Sequence, residues 1–275
     1  MSETKQKVRE FYDSIGWKQE ADGNFQNARY EDLRPVSAEY IQNTRLRINL
    51  YLKQGGKYLL DAGSGPVQYD DYITYSRAYQ KRVCLDISIL ALKEARNRLG
   101  EHGLFVVGDL ANLPFAENVF DGIVSMHAIH HLSLDEHPRA YDELYRVLAN
   151  ESSAVIVNGW SDPFLSRIGE PLIGLLRRLS GRSAKRKKDW VNEETPEGTF
   201  VRKMTPDWLQ TNVGDHIPLT IKPWRSMSTR YLRWFIHPKL GGKPFLKFVF
   251  WLEDRFPDFF GKNGQYPMII LRKRV

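Results

Sequence analysis

Lys57-Tyr58-Leu59-Leu60-Asp61-Ala62-Gly63-Ser64-Gly65-Pro66 is the stretch on which the fold turns. Its first half is a short apolar run of strand length, and its second half is turn chemistry, where hydrophobic periodicity stops. A strand that runs into Gly-x-Gly lets backbone amides approach a ligand with no side chain in the way. Alone, the stretch implies a nucleotide-like ligand and nothing narrower, because an ordinary tight strand-to-helix turn needs the same glycines.

Strand-like and helical runs alternate downstream of it. Arg82 to Asp86 reads as a second strand, Ser88 to Leu99 as a helix, Leu104 to Gly108 as a third strand and Gly122 to Met126 as a fourth. Pro138 to Leu148 reads as a helix, with Tyr141, Leu144, Tyr145 and Leu148 at three- and four-residue spacing, and Ala154 to Val157 follows as a strand. This alternation implies βαβ units and a mostly parallel sheet. Acids fall at the expected strand ends. Asp86 closes the second strand, 25 residues after Asp61, where a carboxylate accepts both hydroxyls of an adenosine ribose; a helix N-cap is the plainer role for the same residue. Asp109, in Gly108-Asp109-Leu110, closes the third strand, and Asp121 completes a set of four with Asp61, Asp86 and Asp109.

As an ordered set these features resemble the class I S-adenosyl-L-methionine (SAM)-dependent methyltransferases, especially the small-molecule branch that includes quinone-biosynthesis enzymes. The resemblance covers about residues 58 to 158. It implies an α/β fold, a Rossmann-like doubly wound seven-strand sheet whose last strand is antiparallel, with SAM as methyl donor and S-adenosyl-L-homocysteine as product. Carried over residue by residue, it implies that Asp61, Ala62, Gly63, Ser64 and Gly65 contact the methionine part of the cofactor. Asp86 then holds the ribose, Ile87 lies against the adenine, and Asp109 sits near the adenine amine with Leu110 beside it. Ser125, at the end of strand four, joins this cofactor set. Two departures stand out. Val67 occupies a position where the family often has a third glycine, and Ala149-Asn150-Glu151-Ser152-Ser153 replaces the Lys-Pro-Gly-Gly turn common before strand five. A nicotinamide dinucleotide is disfavoured, because its fingerprint wants glycine where Gln68 stands.

Methyl transfer is an in-line displacement from a sulfonium, so the protein must align acceptor and methyl group and remove a proton where the acceptor requires it. Ser125-Met126-His127-Ala128-Ile129-His130-His131-Leu132 follows strand four, at the edge where the family places the methyl group. His127, nearest the strand end, is the first candidate base and His131 the second; packing or capping the next helix is the competing role for both. No carboxylate motif joins these histidines into a recognisable metal site, so none is assigned. The Asn-Pro-Pro-Tyr type of sequence that methylates exocyclic base amines is absent at this position.

The chain thus divides into an N-terminal helical cap (1–57), a SAM-binding Rossmann-like core (58–160), and helical insertions that form the acceptor lid plus the last two strands (161–275). In the third part Pro163 to Lys188 reads as a helix. Thr205-Pro206-Asp207-Trp208 reads as an N-cap with proline at the first helical position, and His216 to Trp224 and Tyr266 to Arg272 read as strands.

Residues 163–188 combine Leu172, Ile173, Leu175, Leu176 and Leu179 with Arg177, Arg178, Arg182, Lys185, Arg186, Lys187 and Lys188. An apolar face beside a basic end suits peripheral contact with an anionic membrane, although a lid with a solvated basic tail has the same composition. The aromatics Trp234, Phe235, Phe245, Phe248, Phe250, Trp251, Phe256, Phe259 and Phe260 suit the wall of an apolar acceptor pocket, or a core. A small-molecule or lipid-like acceptor, methylated at oxygen or carbon, is the leading expectation. Nucleic acid is a weaker partner, because basic residues beside aromatics suit RNA binding or RNA methylation but no RNA module accompanies them.

Composition agrees with one soluble α/β unit. The 275 residues are 42% hydrophobic and 27% charged, with net charge +7, which permits an anionic partner without identifying it. The single cysteine, Cys84, allows neither a disulfide framework nor a cysteine-rich metal site. Met1 to Lys7 lack the apolar centre of a signal peptide, so a cytoplasmic location is expected.

Overall fold

The computed structural model describes residues 2–18, 25–179 and 199–274. Seven strands form one sheet: β1 Gly56–Ala62, β2 Tyr79–Asp86, β3 Gly103–Val107, β4 Phe120–Met126, β5 Leu148–Val157, β6 Leu219–Arg225 and β7 Tyr266–Lys273, in the order β3-β2-β1-β4-β5-β7-β6. Pairings among β1 to β5 are parallel, and β7 runs antiparallel to both β5 and β6. This is the Rossmann-like methyltransferase arrangement with its single reversed strand. Near-continuous burial along β1, β2, β4 and β5 reflects helices on both faces, as a parallel sheet requires.

The helices are α1 Glu3–Phe11, α2 Pro35–Leu46, α3 Asp70–Ile73, α4 Ile89–Leu99, α5 Glu136–Val147, α6 Phe164–Leu179, α7 Pro206–Leu209, α8 Thr229–Phe235, α9 Gly242–Arg255 and α10 Pro257–Asn263. Their starts follow local chemistry. Ser88 caps α4 by accepting from the Ala91 amide at 3.1 Å, and Thr205 caps α7 by accepting from the Trp208 amide at 3.1 Å, with Pro206 at the first helical position. On α5 the residues Ala140, Tyr141, Leu144 and Val147 form one buried stripe against the sheet.

Three local expectations are corrected. The expected turn at Ala149–Ser153 lies inside β5, which begins at Leu148. The pairing with β4 jumps from Phe120↔Leu148 to Gly122↔Ser153, and Glu151 takes φ +55° to absorb the extra residues as a bulge. The strand expected from His216 begins at Leu219, after an irregular helical turn over Gln210–Gly214. Asp121 stands at the start of β4, the opposite end of the sheet from the other three acids, where it accepts from the Lys57 amide at 2.7 Å.

Polar bolts join the N-terminal helices to the last third of the chain. Glu253, fully buried on α9, accepts from Tyr40 (2.6 Å), Arg47 (3.0 Å) and the Ser226 amide (2.8 Å). Glu31 accepts from Arg225 at 2.5 Å. Buried carboxylates that have charged donors are satisfied, whereas the loss of either partner strands the other charge.

Candidate active site

The parallel strands deliver their C-terminal ends to one side of the sheet, and β1 is where the connections turn outward in opposite directions, toward β2 and toward β4. Ligand crevices form at such a point. The Gly63 and Ser64 amides both donate to the Leu85 carbonyl, at 2.7 and 3.1 Å, which folds the loop back over β2. Gly63 (φ +76°) and Gly65 (φ +54°) take left-handed backbone. A side chain at Gly63 would collide with Ala128, and one at Gly65 would come 2.9 Å from the Trp17 ring. Val67 is also left-handed, at φ +52°, while its side chain is fully buried with Cys84, Leu92 and Ala95. The chain therefore keeps a glycine-like turn there without the glycine and holds it by packing.

Asp86 lies directly under this loop. Its carboxylate accepts from the Gly65 amide and the Ser88 amide, each at 2.9 Å. Burial raises its pKa to about 6, against the opposing pull of those two amides. Asp61 is nine-tenths buried or more and is held by Arg82, itself 1% exposed. At the end of β3, Asp109 accepts from the Ala111 amide at 2.9 Å and pairs with Lys5 of α1 at 2.6 Å; Lys5 also pairs with Glu136. Asp13 accepts from the Ser88 hydroxyl. Helix α1 and the turn after it thus lie across the loop, with Lys5, Val8, Phe11, Tyr12 and Trp17 all on the cavity wall.

After β4 the backbone is strained. His127 has φ +56°, its amide donates to the Val157 carbonyl at 2.8 Å, and its ring meets the edges or faces of Trp224 and Tyr266 at 5.2 and 5.4 Å between centroids. Burial, with help from Arg225, lowers its pKa to about 3. His130 is also pushed well below the usual histidine range by burial and by its histidine neighbours. His131 is lowered to about 4, again by burial, and its ring is oriented on both sides. Nδ1 lies 2.7 Å from the Phe200 carbonyl and must donate to it, so Nε2, 2.8 Å from the Tyr12 hydroxyl, accepts.

These walls enclose one cavity of about 1760 Å³. Of the residues expected from sequence, Asp61, Gly63, Ser64, Gly65, Asp86, Ile87, Asp109, Leu110, His127 and His131 line it. Ala62 and Ser125 stand behind the wall: the Ser125 hydroxyl donates to the Ala62 carbonyl at 2.8 Å and ties β4 to β1. The expected aromatic wall also changes. Trp234 lines the cavity, but Phe245, Phe248, Trp251, Phe256 and Phe259 are each about half exposed on α9 and α10 or the turn between them. The aromatics that do line it, Phe11, Tyr12, Trp17, Trp208, Trp224 and Tyr266 among them, are scattered through the sequence with no shared period. The one legible signal was their abundance in the N-terminal cap. Among the described residues no group of three or more His, Cys, Asp or Glu side chains is placed to hold a metal ion.

Residues 60–156 match the family described as a methyltransferase domain. That match gives the central part of the chain a methyltransferase domain, and the sheet order with its reversed strand is that of the class I SAM-dependent methyltransferase fold. No curated protein matches its sequence. Among solved structures, the geranyl diphosphate C-methyltransferase from Streptomyces coelicolor A3(2), crystallised with Mg2+, geranyl diphosphate and S-adenosyl-L-homocysteine, is similar at TM-score 0.57 and 14% identity, over 100% of this chain and 99% of that one. The [4+2]-cyclase SpnF is similar at TM-score 0.56 and 18% identity, over 100% and 98%. Phosphoethanolamine N-methyltransferase 2 from Haemonchus contortus, with SAM, is similar at TM-score 0.55 and 14% identity, over 97% of this chain and 60% of that one. Likeness at these identities establishes the fold; one of the three is a cyclase, so acceptor chemistry must be argued from the site itself.

Proposed function

We propose that this enzyme moves a methyl group from SAM to a small-molecule acceptor with an apolar body, at oxygen or carbon. One observation carries the reading. A single cavity of about 1760 Å³ is walled by the Gly63–Gly65 turn with Asp86 and Asp109, and equally by His127, His131, Trp224 and Tyr266. Ligand pockets usually enclose about 300–1,000 Å³, so this one has room for a cofactor and an acceptor together.

The residues fit the cofactor. The left-handed glycines leave the loop without side chains at positions 63 and 65, Asp86 supplies a partly buried carboxylate for the ribose hydroxyls, and Asp109 supplies another for the adenine amine, with Ile87 and Leu110 as apolar flanks. When bound, SAM supplies an electrophilic methyl group on a sulfonium. The protein's part is alignment and proton removal. His131 is the better placed base, because among the described residues no hydrogen bond orients the His127 ring whereas Phe200 and Tyr12 orient that of His131. An acceptor hydroxyl passes its proton to the Tyr12 oxygen as the Tyr12 proton moves to His131 Nε2. His127 serves as a neutral packing wall between Trp224 and Tyr266.

Exposed Phe164, Ile168, Leu172 and Leu175 on α6 support peripheral contact with an anionic membrane that would present a lipid acceptor. The basic residues Arg182, Lys185, Arg186, Lys187 and Lys188 expected to assist lie outside the described residues. No helix among the described residues is long and apolar enough to cross a membrane.

Isothermal titration with SAM, S-adenosyl-L-homocysteine and NAD tests the reading. Saturable binding of the first two is expected, weakened in Asp86→Ala by about 1.5–3 kcal/mol, the range for a hydrogen bond to a charged group. Absence of binding by either sulfur compound overturns it.

A further inference from the structure

Lys203 is a cavity residue that the cofactor does not account for. Its backbone is fixed on both sides: the Arg202 amide donates to the His130 carbonyl at 2.6 Å, and Met204 bridges Trp160 and accepts from the Ser161 amide at 3.0 Å. The lysine stem lies over Gly159, where an added Cβ would meet Cε at 3.3 Å and Nζ at 3.5 Å. Its remaining exposure opens on the cavity it lines. Among the described residues no carboxylate pairs with its ammonium, and burial pushes its pKa down with nothing to raise it.

Four other cavity cations contrast with it. Lys5 has Asp109 and Glu136, Arg82 has Asp61, Arg225 has Glu31, and Arg167 has Asp162. Over the whole wall, nine basic side chains face five acidic ones among the described residues. SAM carries its own sulfonium charge and adds to that excess. A cation withdrawn from water without a partner is costly, and a protein that fixes one at a ligand wall recovers the cost when an anion binds.

We propose that the methyl acceptor carries an anionic group, a phosphate or carboxylate, on its apolar body, and that Lys203 binds that group. This rests on the methyltransferase reading and narrows its acceptor class. The anion neutralises the cationic wall, and its attachment at Lys203 fixes one end of the acceptor while the apolar remainder lies against Trp224 and Trp234.

The test uses the full chain saturated with S-adenosyl-L-homocysteine and titrated with dodecyl phosphate, dodecanol and inorganic phosphate, followed by tryptophan fluorescence. Dodecyl phosphate is expected to bind more tightly than dodecanol. Lys203→Met should weaken it by about tenfold to a hundredfold while leaving dodecanol unchanged, and Lys203→Arg should restore it. Lys203→Met should melt no lower than the parent protein, because it removes an unpaired cation. Absence of any preference for dodecyl phosphate over dodecanol, or a preference that survives Lys203→Met, overturns the proposal. Inorganic phosphate binding as tightly as dodecyl phosphate overturns it too, by assigning Lys203 to a free anion. A parallel SAM titration separates the two readings: lost SAM binding sinks the methyltransferase site, whereas intact SAM binding without anion preference sinks only the acceptor's charge.

Discussion

Lys5 Nζ stands 2.6 Å from Asp109 Oδ2, across 104 residues of sequence, and pins the first helix over the strand end at which the adenine amine is expected. The same ammonium holds Glu136 at the start of α5. One side chain therefore couples the N-terminal cap to the end of β3 and to the start of α5.

Lys5→Ala should free that cap. Two partly buried carboxylates lose their cation, which predicts a loss of about 1–3 kcal/mol in stability, below the full cost of breaking a wholly buried pair. Dissociation of SAM should speed up more than association does. Stopped-flow fluorescence on the mutant checks this, and an unchanged off-rate would remove α1 as a clasp.

Asp86 predicts opposite pH trends for stability and binding. Its folded pKa of about 6 lies above the ordinary 3.8, so between about pH 4 and 6 the folded chain binds more protons than the unfolded one. Stability from this group is present at low pH and is lost as pH rises through that window. Asp86→Asn should flatten this pH dependence without stabilising the ligand-free protein at pH 7, because its amide nitrogen cannot accept from the Gly65 or Ser88 amide as the lost carboxylate oxygen does. SAM affinity should show the reverse, falling several-fold as pH drops from 7 to 5 and the acceptor carboxylate protonates. Melting curves and titrations over pH 4–8 read both trends; parallel trends contradict the assignment.

Tyr12→Phe and His131→Ala should lower turnover with SAM affinity nearly intact, by roughly ten- to ten-thousandfold if they form one proton route. Because they act in series, the double variant should lose little more than the worse single one. His127→Phe keeps the packing against Trp224 and Tyr266 and should keep most of the turnover. Full independence of the Tyr12 and His131 effects would break the relay.

Val67 invites an inverted ranking. Replacing a buried valine by alanine normally costs less than replacing it by glycine, because glycine loses more apolar surface and gains chain entropy. Here φ is +52°, where a β-branched residue is strained by about 1–3 kcal/mol and glycine is not. Val67→Gly is therefore expected to be no more destabilising than Val67→Ala in denaturant melts. The usual order would show that the loop relaxes in solution.

Much of this protein was readable along the chain because its core repeats short local patterns. Apolar runs of strand length, the Gly-x-Gly turn and Asp86 and Asp109 at strand ends are local consequences of backbone sterics and side-chain period. They placed ten of the twelve expected site residues on one cavity wall. Ser125 and Ala62 stand behind that wall, because strand position alone does not say whether a side chain faces the cavity or the neighbouring strand.

The sequence by itself thus determined the βαβ order, the glycine turn and the acids at the strand ends, since each depends on neighbours a few residues away. Tertiary structure decided the rest. It brought Lys5 to Asp109, Tyr12 to His131 and Lys203 beside Gly159, and it turned Phe245, Phe248 and Trp251 outward. Charge pairing, burial and the pKa values they set are properties of groups distant in sequence, and only the folded chain puts them within a few ångströms of each other.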